Sequence, residues 1–393
     1  MISQEPPQPM RTICGFPERQ HREHLANQGP CGMRAWSTVF DEVMSIQTSA
    51  LVAETAGAPF VQRTIEHREL GDNDILIDIA YAGICHSDIH QVREEWGRAI
   101  FPMVPGHEIA GHVAAVGSAV TRHQVGDRVG VGCMVDSCGD CEQCKEGQEQ
   151  FCENGNVMTY NGRGYDGNPT YGGYAKQVVV SERFGVRIPE GIALDEAAPL
   201  LCAGITVWTP LKRWGAGPGV KVGVVGLGGL GHMAVKLASA LGAEVTVLSR
   251  SEAKQADAAE LGADHYIATG ERGALRKSRN SLDLIINTVS AALPMNDYLG
   301  LLKPHGALVN VGIPNENYDI APFAVVGGSK VLAGSNIGGI PATQEMLDFC
   351  AEHHIGSTIE TISADEVDAA YERVVAGDVR YRVVIDTSTI KAG

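Results

Sequence analysis

The sequence predicts an α/β protein of two domains, one rich in β-strands and one a doubly wound parallel sheet. Three observations carry that expectation. The chain has 393 residues, 44% of them hydrophobic and only 20% charged, which suits two packed cores and excludes a disordered chain or a coiled coil. Between about residues 203 and 334, short apolar runs alternate with helical stretches, the pattern of βαβ units in a parallel sheet. Glycine is frequent, at 47 residues, as a chain with many tight turns requires.

Taken in order, residues 1–47 carry Pro6, Pro7, Pro9, Pro17 and Pro30 and no sustained hydrophobic period. A poorly ordered extension is expected there, or a true start at Met44. A transit peptide is the other option, against which Glu5, Glu18, Glu23, Asp41 and Glu42 count. Residues 48–201 read as β-rich, with runs such as ILIDIAYAG (75–83) and QVVV (177–180) set between Gly, Asp and Pro turns. The strands of the parallel sheet are VGVVGL (222–227), EVTVLS (244–249), LDLIINTV (282–289) and ALVNVG (307–312). The tail returns to a mixed pattern, with helices near 343–353 and 364–377 and a strand RVVID at 382–386.

Charge and cysteine usage narrow the function. With 31 basic and 47 acidic residues the net charge is −16, which disfavours nucleic acid or an anionic membrane as a bulk partner but allows a small phosphorylated ligand in a local basic pocket. No apolar run reaches the roughly 18 residues of a transmembrane helix, and the first residues lack the apolar core of a signal peptide. A reducing, cytoplasmic setting is therefore expected. Four of the ten cysteines fall within 15 residues, which points to metal binding rather than a disulfide framework.

VGVVGLGGLGHMAVKLASALGA (222–243) reads as a strand, a glycine-rich turn and a helix. Gly226, Gly228 and Gly231 satisfy G-x-G-x-x-G, with Gly229 and Leu230 between them. The first glycine permits the tight turn, the second admits a pyrophosphate, the third lets helix pack on strand, and the helix N-terminus offers free N–H groups. This predicts dinucleotide binding on a Rossmann domain. The next strand ends in Ser249, Arg250 and Ser251, with Lys254 close behind. An NAD site usually carries Asp or Glu there. Two hydroxyls and two cations would instead hold a 2′-phosphate by charge-assisted hydrogen bonds, so NADP(H) is the expected cofactor.

Two metal sites are expected. Cys138, Cys141, Cys144 and Cys152 follow the spacing C-x2-C-x2-C-x7-C. Four thiolates close the tetrahedral shell of a zinc ion, so this site is structural. Cys85 in GICHSD, His107 in PGHE and Cys202 in LLCAG are dispersed. Together they supply a Cys2His set, the ligand type of a catalytic zinc with one open position. Glu108 is an adjacent carboxylate or transient fourth ligand, and Asp88 a candidate to orient a ligand from behind.

With these motifs in one chain, the sequence resembles the zinc-dependent medium-chain alcohol dehydrogenases, in particular the cinnamyl alcohol dehydrogenase branch and its NADP-dependent aldehyde reductases. GICHSDIHQVREEWG, VPGHEIAG, the four-cysteine loop, LLCAGIT, GLGGLGH and GSNIGG (334–339) match in order, from about Met44 to the C-terminus. The resemblance implies a GroES-like catalytic domain from residues 48–201 and 335–393, with the Rossmann domain at 202–334 and the active site in the cleft. It implies that Cys85, His107 and Cys202 hold the catalytic zinc with Glu108 behind. It further implies that Ser87 and His90 relay a proton through the nicotinamide ribose to solvent, that Trp96 lines the substrate pocket, and that Thr206 and the Ile337 region pack near the nicotinamide. Ser249, Ser251 and Lys254 match the phosphate-binding positions, and Arg250 departs from the serine often found there. A homodimer is implied as well.

The expected function is hydride transfer between NADP(H) and a primary alcohol or aldehyde, with two zinc ions per chain. Two other readings stay open on sequence alone. One is an NAD-dependent polyol dehydrogenase of the same superfamily, against which the absent acidic residue after EVTVLS counts. The other is a non-catalytic NADPH- and zinc-binding redox sensor, against which the ligand set and the Ser87/His90 pair count.

Overall fold

The computed structural model describes residues 45–392, so the expectations for residues 1–44 lie outside the described residues. Two large sheets organise the chain. The first has seven strands, in the order Ile359–Ile362, Arg382–Asp386, Asp74–Ile84, Ile109–Val116, Arg128–Val131 and Val186–Arg187, with Gln177–Ser181 also paired to Asp74–Ile84. The long strand Asp74–Ile84 alternates Ile75, Ile77 and Ile79 towards a buried face and is paired antiparallel on every side. That register is what one half-buried face imposes on a β-branched run. Through it the C-terminal strand Arg382–Asp386 is threaded back beside residues 81–84.

The second sheet is parallel throughout. Its order is His265–Ala268, Glu244–Ser249, Lys221–Val225, Leu282–Asn287, Leu302–Asn310 and Val331–Gly334. The central strands are Val-, Ile- and Leu-rich because helices cover both faces. Helices Ala203–Arg213 and Gly229–Ala240 pack on one side through Trp208, Met233 and Leu237, and Met295–Leu301 on the other through Tyr298 and Leu299. Strands His265–Ala268 and Val331–Gly334 add to the four expected from the sequence. The strand order turns outward on either side of Lys221–Val225, so a crevice opens at its carboxyl end, where ligands bind in open α/β sheets.

Among the described residues, no helix is long and apolar enough to cross a membrane.

Candidate active site

The glycine turn caps that crevice. Gly226 follows strand Lys221–Val225 with φ +89, a left-handed conformation that disfavours a side chain. A Cβ on Gly231 would lie 2.2 Å from the Gly226 carbonyl oxygen, so the helix can approach its strand this closely only at a glycine. Gly228 differs, since a Cβ there would meet nothing within 4 Å and would project into open space. Helix Gly229–Ala240 starts directly after it with no side-chain cap, leaving its first N–H groups free for an anion.

The turn lines one cavity of about 1440 Å³, larger than the few hundred to about 1,000 Å³ of a single small-ligand pocket. Gly226, Gly228, Gly229 and Leu230 share it with Ser249, Arg250, Ser251, Lys254, Thr206 and Ile337. At that end Arg250 and Ser251 are exposed. Lys254 folds inward, donating from Nζ to the Leu227 carbonyl at 2.7 Å, and burial lowers its pKa. A dinucleotide fits this half on its own terms: an open glycine cradle, a free helix N-terminus, and a cationic rather than acidic strand end.

At the other end of the cavity the dispersed ligands converge. Cys85 follows strand Asp74–Ile84 and caps helix His86–Val92, His107 precedes strand Ile109–Val116, and Cys202 leads into helix Ala203–Arg213. Their donor atoms and a carboxylate oxygen of Glu108 all lie within 4.8 Å of one another. Cys85 Sγ is 4.0 Å from Cys202 Sγ, and His107 Nε2 is 3.2 Å from Cys202 Sγ. Sulfurs on a zinc tetrahedron stand about 3.8 Å apart, so the set has the right size. Its thiols are pulled apart in acidity. The hydrogen bond from Cys202, with support from His107, holds Cys85 well below the usual thiol range, whereas contacts with Cys133 and Cys85 push Cys202 well above it.

Asp88 anchors this cluster from behind. Fully buried, it accepts from the backbone N–H of Cys85 at 2.9 Å and of Gly106 at 3.2 Å, and pairs with His107 Nδ1 at 2.9 Å. It thereby leaves Nε2 facing the two sulfurs. Glu108 is also fully buried and pairs through Oε1 with Nη2 of Arg382. Burial raises the Glu108 carboxyl to about 7, with Arg382 pulling against it. Glycine at 83 makes the pair possible, because a Cβ there would sit 1.9 Å from Glu108 Oε2. That Oε2 is buried without a hydrogen-bond partner among the described residues, the state expected of an oxygen beside a cation site.

Ser87 and His90 lie on the short helix His86–Val92 that follows Cys85, and both line the cavity. Ser87 Oγ is 3.6 Å from Cys85 Sγ. The His90 ring stacks on Trp96 at 4.7 Å between centroids, and its Nδ1 meets Glu95 Oε2 at 2.5 Å. Trp96 is 40% exposed and also lines the cavity.

The four-cysteine loop forms a separate cluster, its sulfurs within 4.8 Å of one another, with Cys138 Sγ 3.9 Å from Cys144 Sγ. Hydrogen bonds from Asn154 and from the backbone at Cys141 and Asp140 hold the Cys138 thiol down to about 6, which favours the thiolate that zinc needs. Both donor sets therefore fit zinc.

Sequence reasoning passed over three participants. Arg382 pairs with a residue 274 positions away, and only the sheet register places them together. Glu95 is five residues from His90, but such spacing is common on any surface helix end. Cys133, also on the cavity wall, carried no ligand spacing.

The comparisons with known proteins agree with this architecture. The alcohol dehydrogenase GroES-like domain family matches residues 71–190, and the zinc-binding dehydrogenase family matches residues 229–352. A probable formaldehyde dehydrogenase of Bacillus subtilis is 57% identical over 344 residues, covering 88% of this chain and 99% of that protein. The chain belongs to the zinc-binding alcohol dehydrogenase family. Within that family, an NADP-dependent alcohol dehydrogenase of Mycolicibacterium smegmatis is 55% identical over 345 residues, with 88% and 99% coverage. Among solved structures, a cinnamyl alcohol dehydrogenase from Sorghum bicolor superposes with a TM-score of 0.85 at 43% identity, covering 88% of this chain and 99% of that one. The corresponding enzyme of Helicobacter pylori, solved with NADP(H), gives 0.83 at 41% identity, with 88% and 100% coverage.

Proposed function

We propose that the chain is a zinc-dependent alcohol dehydrogenase that transfers hydride between NADP(H) and a primary alcohol or aldehyde, with aldehyde reduction favoured in an NADPH-rich cell. The observation that carries this reading is the single cavity whose two ends hold complementary chemistry. One end gathers two thiols, an imidazole and a carboxylate. The other is a glycine cradle followed by Ser249, Arg250, Ser251 and Lys254. The names of the mycobacterial relative and of the Helicobacter complex support the same cofactor.

Cys85, His107 and Cys202 would hold the catalytic zinc, which supplies a Lewis acid with one position for the substrate oxygen. Gly226, Gly228, Gly229, Leu230 and Gly231 would hold the diphosphate of NADPH, the hydride source. Asp88 fixes the His107 tautomer. Ser87 donates the proton to the substrate oxygen, and His90 restores it from solvent. The stacked Trp96 ring and the Glu95 carboxylate at Nδ1 hold the His90 ring in place. Trp96 with Phe151, Met158 and Tyr160 walls the substrate space, while Thr206 and Ile337 border the nicotinamide. Cys138, Cys141, Cys144 and Cys152 hold the structural zinc. We assign domains at 48–201 with 335–393 and at 202–334. Thiol-rich metal sites of this kind favour the reducing cytoplasm.

A homodimer completes the reading. Strand Val331–Gly334 ends the parallel sheet, and Phe323, Val326, Ile313 and Val331 around it are 79, 69, 59 and 42% exposed. An open edge flanked by exposed apolar side chains is suited to pairing with a second copy.

The test is a panel of aldehydes and alcohols with both nicotinamide cofactors, before and after chelation, alongside metal analysis. Aldehyde-dependent loss of NADPH absorbance that chelation abolishes, with two zinc ions per chain, is expected. NADPH binding without turnover would instead make the chain a sensor, and equal rates with NADH would refute the cofactor assignment.

A further inference from the structure

The four-cysteine loop does more than close on its own metal. Glu149 sits in the single turn Glu149–Phe151, between Cys144 and Cys152. It is a carboxylate only 9% exposed, with no cation paired to it among the described residues. Its Oε2 instead accepts the backbone N–H of Ile340 at 3.0 Å. Ile340 opens the 13-residue helix Ile340–Glu352, whose own N-cap is Gly339 and offers no side chain. A carboxylate from a distant loop thus caps this helix, where an N-terminus favours negative charge.

The contact is close. A Cβ on Gly339 would lie 1.9 Å from the Gly147 carbonyl oxygen and 2.5 Å from Glu149 Oε2. Gly339 has φ −76, a value any residue adopts, so glycine is required here by the approach of the loop. Two residues on, Pro341 packs against Gly147.

The helix start matters because of what precedes it. Gly334, Ser335, Asn336 and Ile337 line the cavity opposite the glycine turn. Ser335 is tied to the sheet by its N–H on the Asn310 carbonyl at 3.0 Å, and a Cβ on Gly338 would collide with Ile205 and Thr209. The wall 335–339 is therefore held by the sheet at one end and by Glu149 at the other.

We infer that Glu149 is a positioning residue for the nicotinamide side of the cofactor site, so that the four-cysteine loop sets cofactor affinity through the segment 335–340. This rests on the reading above that Ile337 borders the nicotinamide. It assigns the loop a function in binding, in addition to local stability.

The experiment measures the NADPH dissociation constant by fluorescence titration of Glu149→Leu, Glu149→Gln and Gly339→Ala, together with zinc content and the KM for NADPH against kcat. Glu149→Leu removes the acceptor and should weaken NADPH binding roughly tenfold, with KM for NADPH rising more than kcat falls. Glu149→Gln keeps an acceptor oxygen and should restore binding to within about twofold, since only the smaller charge contribution is lost. Gly339→Ala pushes the same contact apart from the opposite side, leaves the cysteines untouched, and should weaken NADPH with two zinc ions retained. Unchanged NADPH affinity in both Glu149→Leu and Gly339→Ala overturns the inference, as does weakening in Glu149→Leu alone that tracks loss of zinc. Failure of the unsubstituted protein to bind NADPH would instead refute the cofactor assignment, a separately readable result.

Discussion

Replacing Asp88 with asparagine should strip the catalytic metal site while leaving the four-cysteine site intact. The carboxylate faces three N–H groups: Cys85 N at 2.9 Å on Oδ2, and Gly106 N at 3.2 Å and His107 Nδ1 at 2.9 Å on Oδ1. The Gly106 and His107 contacts are buried, the Cys85 contact is partly buried, and Asp88 itself is 0% exposed. An ionised carboxylate can accept all three. Asparagine has one acceptor oxygen and one NH2, and neither orientation serves. With the oxygen towards His107 and Gly106, the NH2 opposes the Cys85 N–H. With the oxygen towards Cys85, the NH2 opposes two donors. At least one charge-assisted hydrogen bond is lost, worth about 1.5–3 kcal/mol.

At about 1.4 kcal/mol per tenfold, that loss weakens zinc at Cys85, His107 and Cys202 by roughly ten- to a hundredfold, the range expected for outer partners of metal ligands. The assay is competition against a chelator of known affinity, with zinc counted per chain. The parent should release its two ions in separate steps, and Asp88→Asn should move only the weaker step. Activity should fall in parallel and recover in excess zinc. An unmoved release curve, or both steps shifting together, would refute the argument that Asp88 acts by holding Cys85 and His107.

Other outcomes follow from single features. A Cβ at Gly228 meets nothing within 4 Å and φ there is −125, so Gly228→Ala should leave the melting temperature unchanged or slightly raised while NADPH affinity falls, and a melting temperature reduced by several degrees would contradict this. Arg250→Asp places a carboxylate where a 2′-phosphate is expected. The KM for NADPH should rise by roughly ten- to a hundredfold with little change for NADH, and an unaltered ratio would remove Arg250 from the cofactor site. Burial lowers the His67 ring from 6.5 to about 4 in the fold. The unfolded chain therefore binds the extra proton between those values, and stability is present above pH 6.5 and lost on acidification. At pH 5 this costs about 2 kcal/mol. Urea midpoints for His67→Gln should show an acid loss between pH 7.5 and 5 smaller by about that amount, and parallel curves would refute it.

The four-cysteine loop and the glycine turn could be read from the sequence because each is a run of distinctive residue types in a local frame, whereas Cys85, His107 and Cys202 are dispersed along the chain. Four cysteines within 15 residues and three glycines between a strand and a helix leave few alternatives. The parallel sheet was legible in its centre, where Val-, Ile- and Leu-rich strands are buried on both faces. Its flanks were not. His265–Ala268 and Val331–Gly334 are four residues each and only partly buried, so their hydrophobic pattern is weak. Also hidden were contacts made by sheet register. Nothing near Arg382 or Glu108 in the chain announces the other, and the pairing exists because both flanking strands align on residues 82–84 of Asp74–Ile84.

That pairing also gives Glu108 its character. A buried carboxylate opposite a buried guanidinium is an arrangement that desolvation makes costly unless every polar atom is satisfied. Here neither partner is satisfied: Glu108 Oε2 and Arg382 Nε both lack a hydrogen-bond partner. The unsatisfied Oε2 belongs to the donor cluster of Cys85, His107 and Cys202. On the other side, a Cβ on Gly229 of the glycine turn would lie 2.8 Å from Arg382 Nη1. One guanidinium thus spans from the carboxylate beside the metal ligands to the turn that would receive the diphosphate. An apolar pair of the same volume would pack as well and cost less desolvation. On the proposed function, the ion pair would add a charge balance between the two occupants, with Glu108 on the side of the cation and Arg382 on the side of the anion. The glycines at 83 and 229 leave room for both side chains.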